Sequence, residues 1–189
     1  INVSYEKVNA NASPAIFFDT YGHAVVPLLG GLAIRDINAD ETTTEGYFSP
    51  KQHDTGDYVI QSSYSFVDES NRIVCPTSNN HVLMLKATDE DGNVLPEFEK
   101  VLDIDIKAAA EEKLGKTLDQ NLLAVVFDYE GNLWFATGGF RIYPDREQQG
   151  AIGYISRTAI DAILNGEETN LSDAVFVQEL TPGEGAENG

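Results

Sequence analysis

The chain has one cysteine, one tryptophan and three histidines among its 189 residues, and only 12 Lys and Arg against 31 Asp and Glu. With Cys75 alone, no disulfide can form within the chain. His23, His53 and His81 are dispersed, with no His-x-x-x-His or His-Glu pairing, so no zinc-binding pattern is present. The formal charge of −19 removes the basic footprint that nucleic-acid binding requires, and it disfavours an anionic membrane surface. No apolar run approaches the roughly 18 residues that a bilayer-spanning helix needs. Gly115-Lys116-Thr117 lacks the earlier glycine of a phosphate loop, and no Gly-x-Ser-x-Gly elbow exists.

What is present is globular in composition. Apolar residues make up 42% of the chain, with nine Phe and eight Tyr, enough for one ordinary domain spanning residues 1–189 with a sizeable core. Dense carboxylates read as a solvated surface that keeps the protein soluble. A start at Ile1 rather than Met, together with the acidity, leads to the expectation of a processed protein in an extracellular or periplasmic setting.

Internal similarity organises the rest. Asp19-Thr-Tyr-Gly-His-Ala-Val-Val-Pro27, Asp68-Glu-Ser-Asn-Arg-Ile-Val-Cys-Pro76 and Asp128-Tyr-Glu-Gly-Asn-Leu-Trp-Phe-Ala136 align without gaps. Each is an acidic residue, a polar turn with Gly22, Asn71 or Gly131 where a positive φ is easiest, and then an apolar run. The aspartates are 49 and 60 residues apart, a spacing suited to four-stranded propeller blades with insertions. Strand candidates flank each turn. The first strands are 15–18, 64–67 and 123–127; the third are 32–37, 82–86 and 152–156; the fourth are 58–61, 98–102 and 175–180. The repeat units are 12–61, 62–104 and 121–180.

Two helical inserts interrupt this pattern, near 105–115 and 158–166. Asp105 caps the first, with Gly115 as its stop, and Thr158 caps the second, which Gly166 ends. The fold expected is therefore all-β, a β-propeller of which this chain supplies three four-stranded blades with short helical inserts. Three blades leave edges and faces open, so a six-bladed ring would need a second polypeptide or a second copy of this chain.

Asp19, Asp68 and Asp128 recur once per unit, and a repeated acid reads as a turn-closing acceptor rather than a catalyst. Asp89-Glu-Asp-Gly-Asn93 has Val94 and Lys100 where a calcium loop needs Gly and Glu, so it reads as a hairpin. Trp134 and Phe135 read as packing between blades, and His23 as a solvated turn residue. His53 and His81 fall in loops at the mouth of a central tunnel, where either could serve as a general base.

The stretch Asp128-Tyr-Glu-Gly-Asn-Leu-Trp-Phe-Ala-Thr137 resembles the strand-turn-strand signature of six-bladed propellers of the SMP-30/gluconolactonase and strictosidine-synthase-like superfamily. Glu187-Asn188-Gly189 is similar to the Asn-Gly that opens an inner strand in that group. The resemblance implies a divalent cation, Ca2+, in the central tunnel, with Asn188, Glu187 and Asn121 as its ligands from this chain. The corresponding positions Pro14 and Ser63 in the earlier units are poor ligands. It further implies metal-assisted hydrolysis of a small lactone or ester at that tunnel. The alternative is a non-catalytic propeller that serves in binding or assembly, because propellers host unrelated functions.

Overall fold

The computed structural model describes residues 16–28, 31–36, 46–48, 60, 64–118, 121–138 and 150–180. These are mostly β, with few helices. The strands are β1 (Phe17–Phe18), β2 (Ala24–Leu28), β3 (Gly31–Arg35), β4 (Gly46–Phe48), β5 (Phe66–Val67), β6 (Arg72–Pro76), β7 (His81–Thr88) and β8 (Val94–Asp105). They are followed by α1 (Ile106–Leu114), β9 (Leu122–Phe127), β10 (Leu133–Thr137), β11 (Gly150–Ile155), α2 (Arg157–Leu164), α3 (Leu171–Ala174) and β12 (Val175–Leu180).

The strands form three antiparallel sheets of four, ordered β1-β2-β3-β4, β5-β6-β7-β8 and β9-β10-β11-β12. A single parallel bridge, Tyr47 to Glu97, joins the first two sheets along β4 and β8. Among the described residues, no sheet closes on itself. The chain divides into two compact units. One holds Ile1–Thr77 and Leu83–Val101, the other Ser78–Val82 and Leu102–Gly189.

One turn design serves four hairpins. In each, the aspartate Oδ1 accepts the backbone N–H groups two and four residues on. Asp19 takes Tyr21 and His23 at 3.0 and 2.7 Å, and Asp68 takes Ser70 and Arg72 at 3.0 and 2.8 Å. Asp89 takes Asp91 and Asn93 at 3.0 and 2.8 Å, and Asp128 takes Glu130 and Asn132 at 2.9 Å each. The second carboxylate oxygen then holds the side chain four residues on: His23 Nδ1, Arg72 Nε, Asn93 Nδ2 and Asn132 Nδ2. The residue that closes each turn has positive φ, at Gly22 (89°), Asn71 (58°), Gly92 (84°) and Gly131 (84°). Aspartate suits this role because its short side chain folds back on its own backbone. The three expected turns are therefore present, and the Asp89 hairpin makes a fourth.

Several expectations need correction. The fourth strand of the first sheet is Gly46–Phe48, not 58–61. Gly46 has no Cβ, and one there would collide with the Leu95 carbonyl of the neighbouring β8; close approach, not alternation, selects this segment. Ile60 instead bridges Thr77, and residues 58, 59 and 61 lie outside the described residues. Helix α1 has Asp105 as its cap, accepting from Ala108 N at 2.9 Å, and Gly115 as its αL stop at φ 68°. Helix α2 starts two residues earlier than expected. Ser156 rather than Thr158 is its cap, because β11 ends at Ile155 and the extended Ser156 offers its Oγ to Ala159 N at 3.3 Å. His23 is buried, at 7% exposure, rather than solvated, since its ring is tied to Asp19 Oδ2 at 2.8 Å.

Candidate functional site around His81

The chemistry-bearing side chains that the fold brings together lie in the second unit, where β7 begins and β8 runs into α1. Asn80 sits just before β7 in the left-handed conformation, with φ 74°. Its carbonyl accepts the N–H of Ile106, the first residue of α1, at 3.1 Å. Its side-chain Oδ1 accepts the N–H of Leu122, the first residue of β9, at 2.8 Å. One asparagine thus ties together the start of a strand, the start of a helix and the start of a second strand.

His81 follows directly. Its Nδ1 lies 2.6 Å from Asp103 Oδ1. A carboxylate oxygen can only accept, so Nδ1 carries a hydrogen. Nε2 lies 3.7 Å from Asp105 Oδ2. His81 and Asp103 are about one-fifth exposed and Asp105 rather more, at 44%, so solvent reaches the pair. An imidazole oriented at Nδ1 by a carboxylate can accept a proton at Nε2 from water or a hydroxyl.

Asn121 stands beside this group through the Asn80–Leu122 bond. Its Oδ1 accepts from Lys107 Nζ at 3.4 Å, and its carbonyl accepts from Gly138 N at 2.9 Å. Of the three expected Ca2+ ligands, only Asn121 is described, and its oxygen faces an ammonium. Glu187, Asn188 and His53 lie outside the described residues. Among the described residues, no three His, Cys, Asp or Glu side chains cluster closely enough to hold a metal.

Sequence reasoning named His81 and Asn121 but missed Asp103 and Asn80, and it read Asp105 only as a cap. The available signal was the Asp89 hairpin. Once it folds, the start of β7 must return alongside the end of β8, which places His81 near the acidic residues preceding α1.

Asp128 and Asp89 are perturbed in a way that fits a structural role. Desolvation pushes Asp128 up, but bonds from the Asn132 side chain, the Trp134 indole N–H and the backbone N–H groups of Asn132 and Glu130 outweigh it and hold the pKa at about 2. The Trp134 Nε1 bond is 2.7 Å long. Asp89 is likewise held low, chiefly by the Asn93 side chain. Cys75 is fully buried, and that burial pushes its thiol up to about 12 against a weaker opposing bond from Ser65.

Comparison with protein-family models and with curated proteins finds no match to this chain.

Proposed function

We propose that the three sheets are consecutive blades of a propeller-type ring and that the chain serves as a binding and assembly module. The observation that carries this reading is the recurrence of one Asp-anchored turn between the first two strands of all three sheets, each with the same four-strand order. Radial repetition of such sheets is the propeller architecture. The first two turns also meet, since Thr20 N and Oγ1 both donate to Asn71 Oδ1 at 2.8 Å.

The test uses spin labels on cysteines at the exposed turn residues Thr20, Glu69 and Tyr129, in pairs; buried Cys75 does not compete for label. Sixty-degree steps about one axis require equal distances for the two neighbouring pairs and a Thr20–Tyr129 distance about 1.7 times larger. A ratio of about 2, as in a straight stack, or unequal neighbour distances would reject the ring.

A second reading, hydrolysis of a small ester or lactone, is supported by the His81–Asp103 geometry. In that reading His81 Nε2 takes a proton from water as the water attacks the carbonyl carbon, and Asp103 steadies the imidazolium. The imidazolium returns that proton to the leaving alkoxide oxygen as the acyl C–O bond breaks, which releases acid and alcohol. No step is assigned to a metal. Turnover of aryl acetates and simple lactones that is lost in His81→Gln and reduced in Asp103→Asn supports it. Equal rates for wild type and His81→Gln reject it.

A further inference from the structure

The two sheets of the first unit show how one repeat packs on the next. Counted from the turn aspartate, the residue six positions on is Val25 in the first sheet, Val74 in the second and Trp134 in the third. The first sheet turns its Val25 face inward, with Leu32, Ile34 and Phe48. The second sheet meets that core with its opposite face, through Ile73 and Cys75, the residues five and seven positions on, and through Leu83 and Leu85. Val74 and Met84 on the second sheet's other face are also fully buried. In this pair, one sheet's position-six face is covered by its neighbour's position-five-and-seven face.

In the third sheet this face stands open. Trp134 pairs with Val126 on one side and Tyr154 on the other, and Tyr154 pairs with Phe176. Their rings form a cross-strand ladder, with centroids 4.9 Å apart for Trp134–Tyr154 and 4.8 Å for Tyr154–Phe176. Yet Val126 is 57% exposed and Phe176 54%, whereas Val25 and Val74 are at 0%. The opposite face of the same sheet is closed, with Leu133 at 0% and Phe135 at 2%. Meanwhile the first sheet exposes the β1 edge of the complementary kind of face, although Ala24, its position-five residue, is buried at 9%. Phe18, at the position that Val67 fills in the second sheet's packed face, is 57% exposed, and Ile16 is 61% exposed.

Building on the blade reading, we infer that the Trp134 face of the third sheet is a docking surface for a second copy of this chain, which seats the Phe18 face of its first sheet there. The occupant follows from complementarity. Among the described residues, the third sheet exposes the Val126–Phe176 side of its position-six face and the first sheet exposes Ile16 and Phe18 on the complementary kind of face. Both are apolar, so two copies can repeat the packing that the first unit already displays.

The test is the mass of the folded chain in solution. The wild type should sediment and scatter as twice 20.6 kDa, and its single tryptophan should shift to the red on dilution. Phe176→Glu and Phe18→Glu each alter a side chain that is more than half exposed, so both should keep wild-type circular dichroism while becoming monomeric. Mixing the two variants should restore a dimer, because one copy keeps an intact Trp134 face and the other an intact Phe18 face. A wild-type monomer at high micromolar concentration would overturn the proposal and leave a further sheet on another polypeptide as the occupant. A dimer broken by Phe176→Glu but untouched by Phe18→Glu would also overturn it, by showing like face against like face. Neither result bears on the spin-label distances, which judge the ring separately.

Discussion

Replacing Asp19 by Ala removes the most deeply buried of the four turn anchors, whose side chain is only 2% exposed. The carboxylate accepts three bonds: from Tyr21 N at 3.0 Å, His23 N at 2.7 Å and His23 Nδ1 at 2.8 Å. Tyr21 is half exposed, so its N–H can turn to water. His23 is at 7% exposure, so its N–H and its ring N–H would be left in the interior without an acceptor. A buried donor stranded in this way costs about 1–3 kcal/mol. Two of them, partly relieved by relaxation, give a loss of about 3 kcal/mol. For a chain of this size that corresponds to a fall in Tm of about 6–12 °C.

Asp19→Asn separates the turn from the charge. The amide keeps an oxygen for both backbone N–H groups and offers its NH2 to the ring, which can present a lone pair at Nδ1 in its other tautomer. Its cost should be about 1 kcal/mol, the difference between a charge-assisted and a neutral bond. Calorimetry of both variants at pH 7 reads the two values, and amide exchange at His23 localises them. An alanine variant within about 2 °C of wild type would refute the claim that this carboxylate anchors the hairpin. An asparagine variant as damaged as the alanine one would show that charge, not turn geometry, is what matters. The same alanine substitution at exposed Asp89, with the same bond pattern, should shift Tm far less.

Gly153 faces Phe135 and the Phe176 carbonyl, and a Cβ there would lie 2.6 Å from the Phe135 ring. Gly153→Ala should therefore cost about 1–3 kcal/mol by overpacking, read as a lower urea midpoint. Cys75 should resist a water-soluble maleimide in the native state and react fully in urea. Its raised thiol pKa stabilises the fold below the ordinary thiol range and loses that contribution as pH rises toward about 12. Asp128, held at about 2, contributes stability above the ordinary carboxylate range that is lost as pH falls from about 4 through about 2. Since Trp134 donates to it, the fluorescence of the single tryptophan should titrate near pH 2; a midpoint near 4 would contradict the hydrogen-bonded geometry.

Local chemistry was legible in the sequence, and long-range placement was not. The bounds and caps of α1 follow from Asp105 and Gly115 because a cap is settled within one turn of backbone. Strand β12 is bounded by its own apolar run at 175–180. The turns follow from Asp and Gly or Asn at fixed offsets, for the same local reason. By contrast, β4 has three residues and no alternation to detect; its position depends on Leu95, far along the chain. The His81–Asp103 pair spans 22 residues and exists only after the intervening hairpin has formed, so no local spacing announces it.

The position-six residues make the limit clearest. Val25, Val74 and Trp134 are all apolar and all sit on strands with the same pattern, so periodicity predicts the same burial for each. Their surroundings differ all the same. Val25 and Val74 are at 0% exposure, while Trp134 lies on a face whose Val126 and Phe176 are more than half exposed. Hydrophobic pattern reports that a face needs a cover and carries no information about which molecule supplies it. The aromatic ladder across β10, β11 and β12 is thus a core surface in composition whose Val126 and Phe176 are more than half exposed, and the proposed docking of a second copy rests on that mismatch.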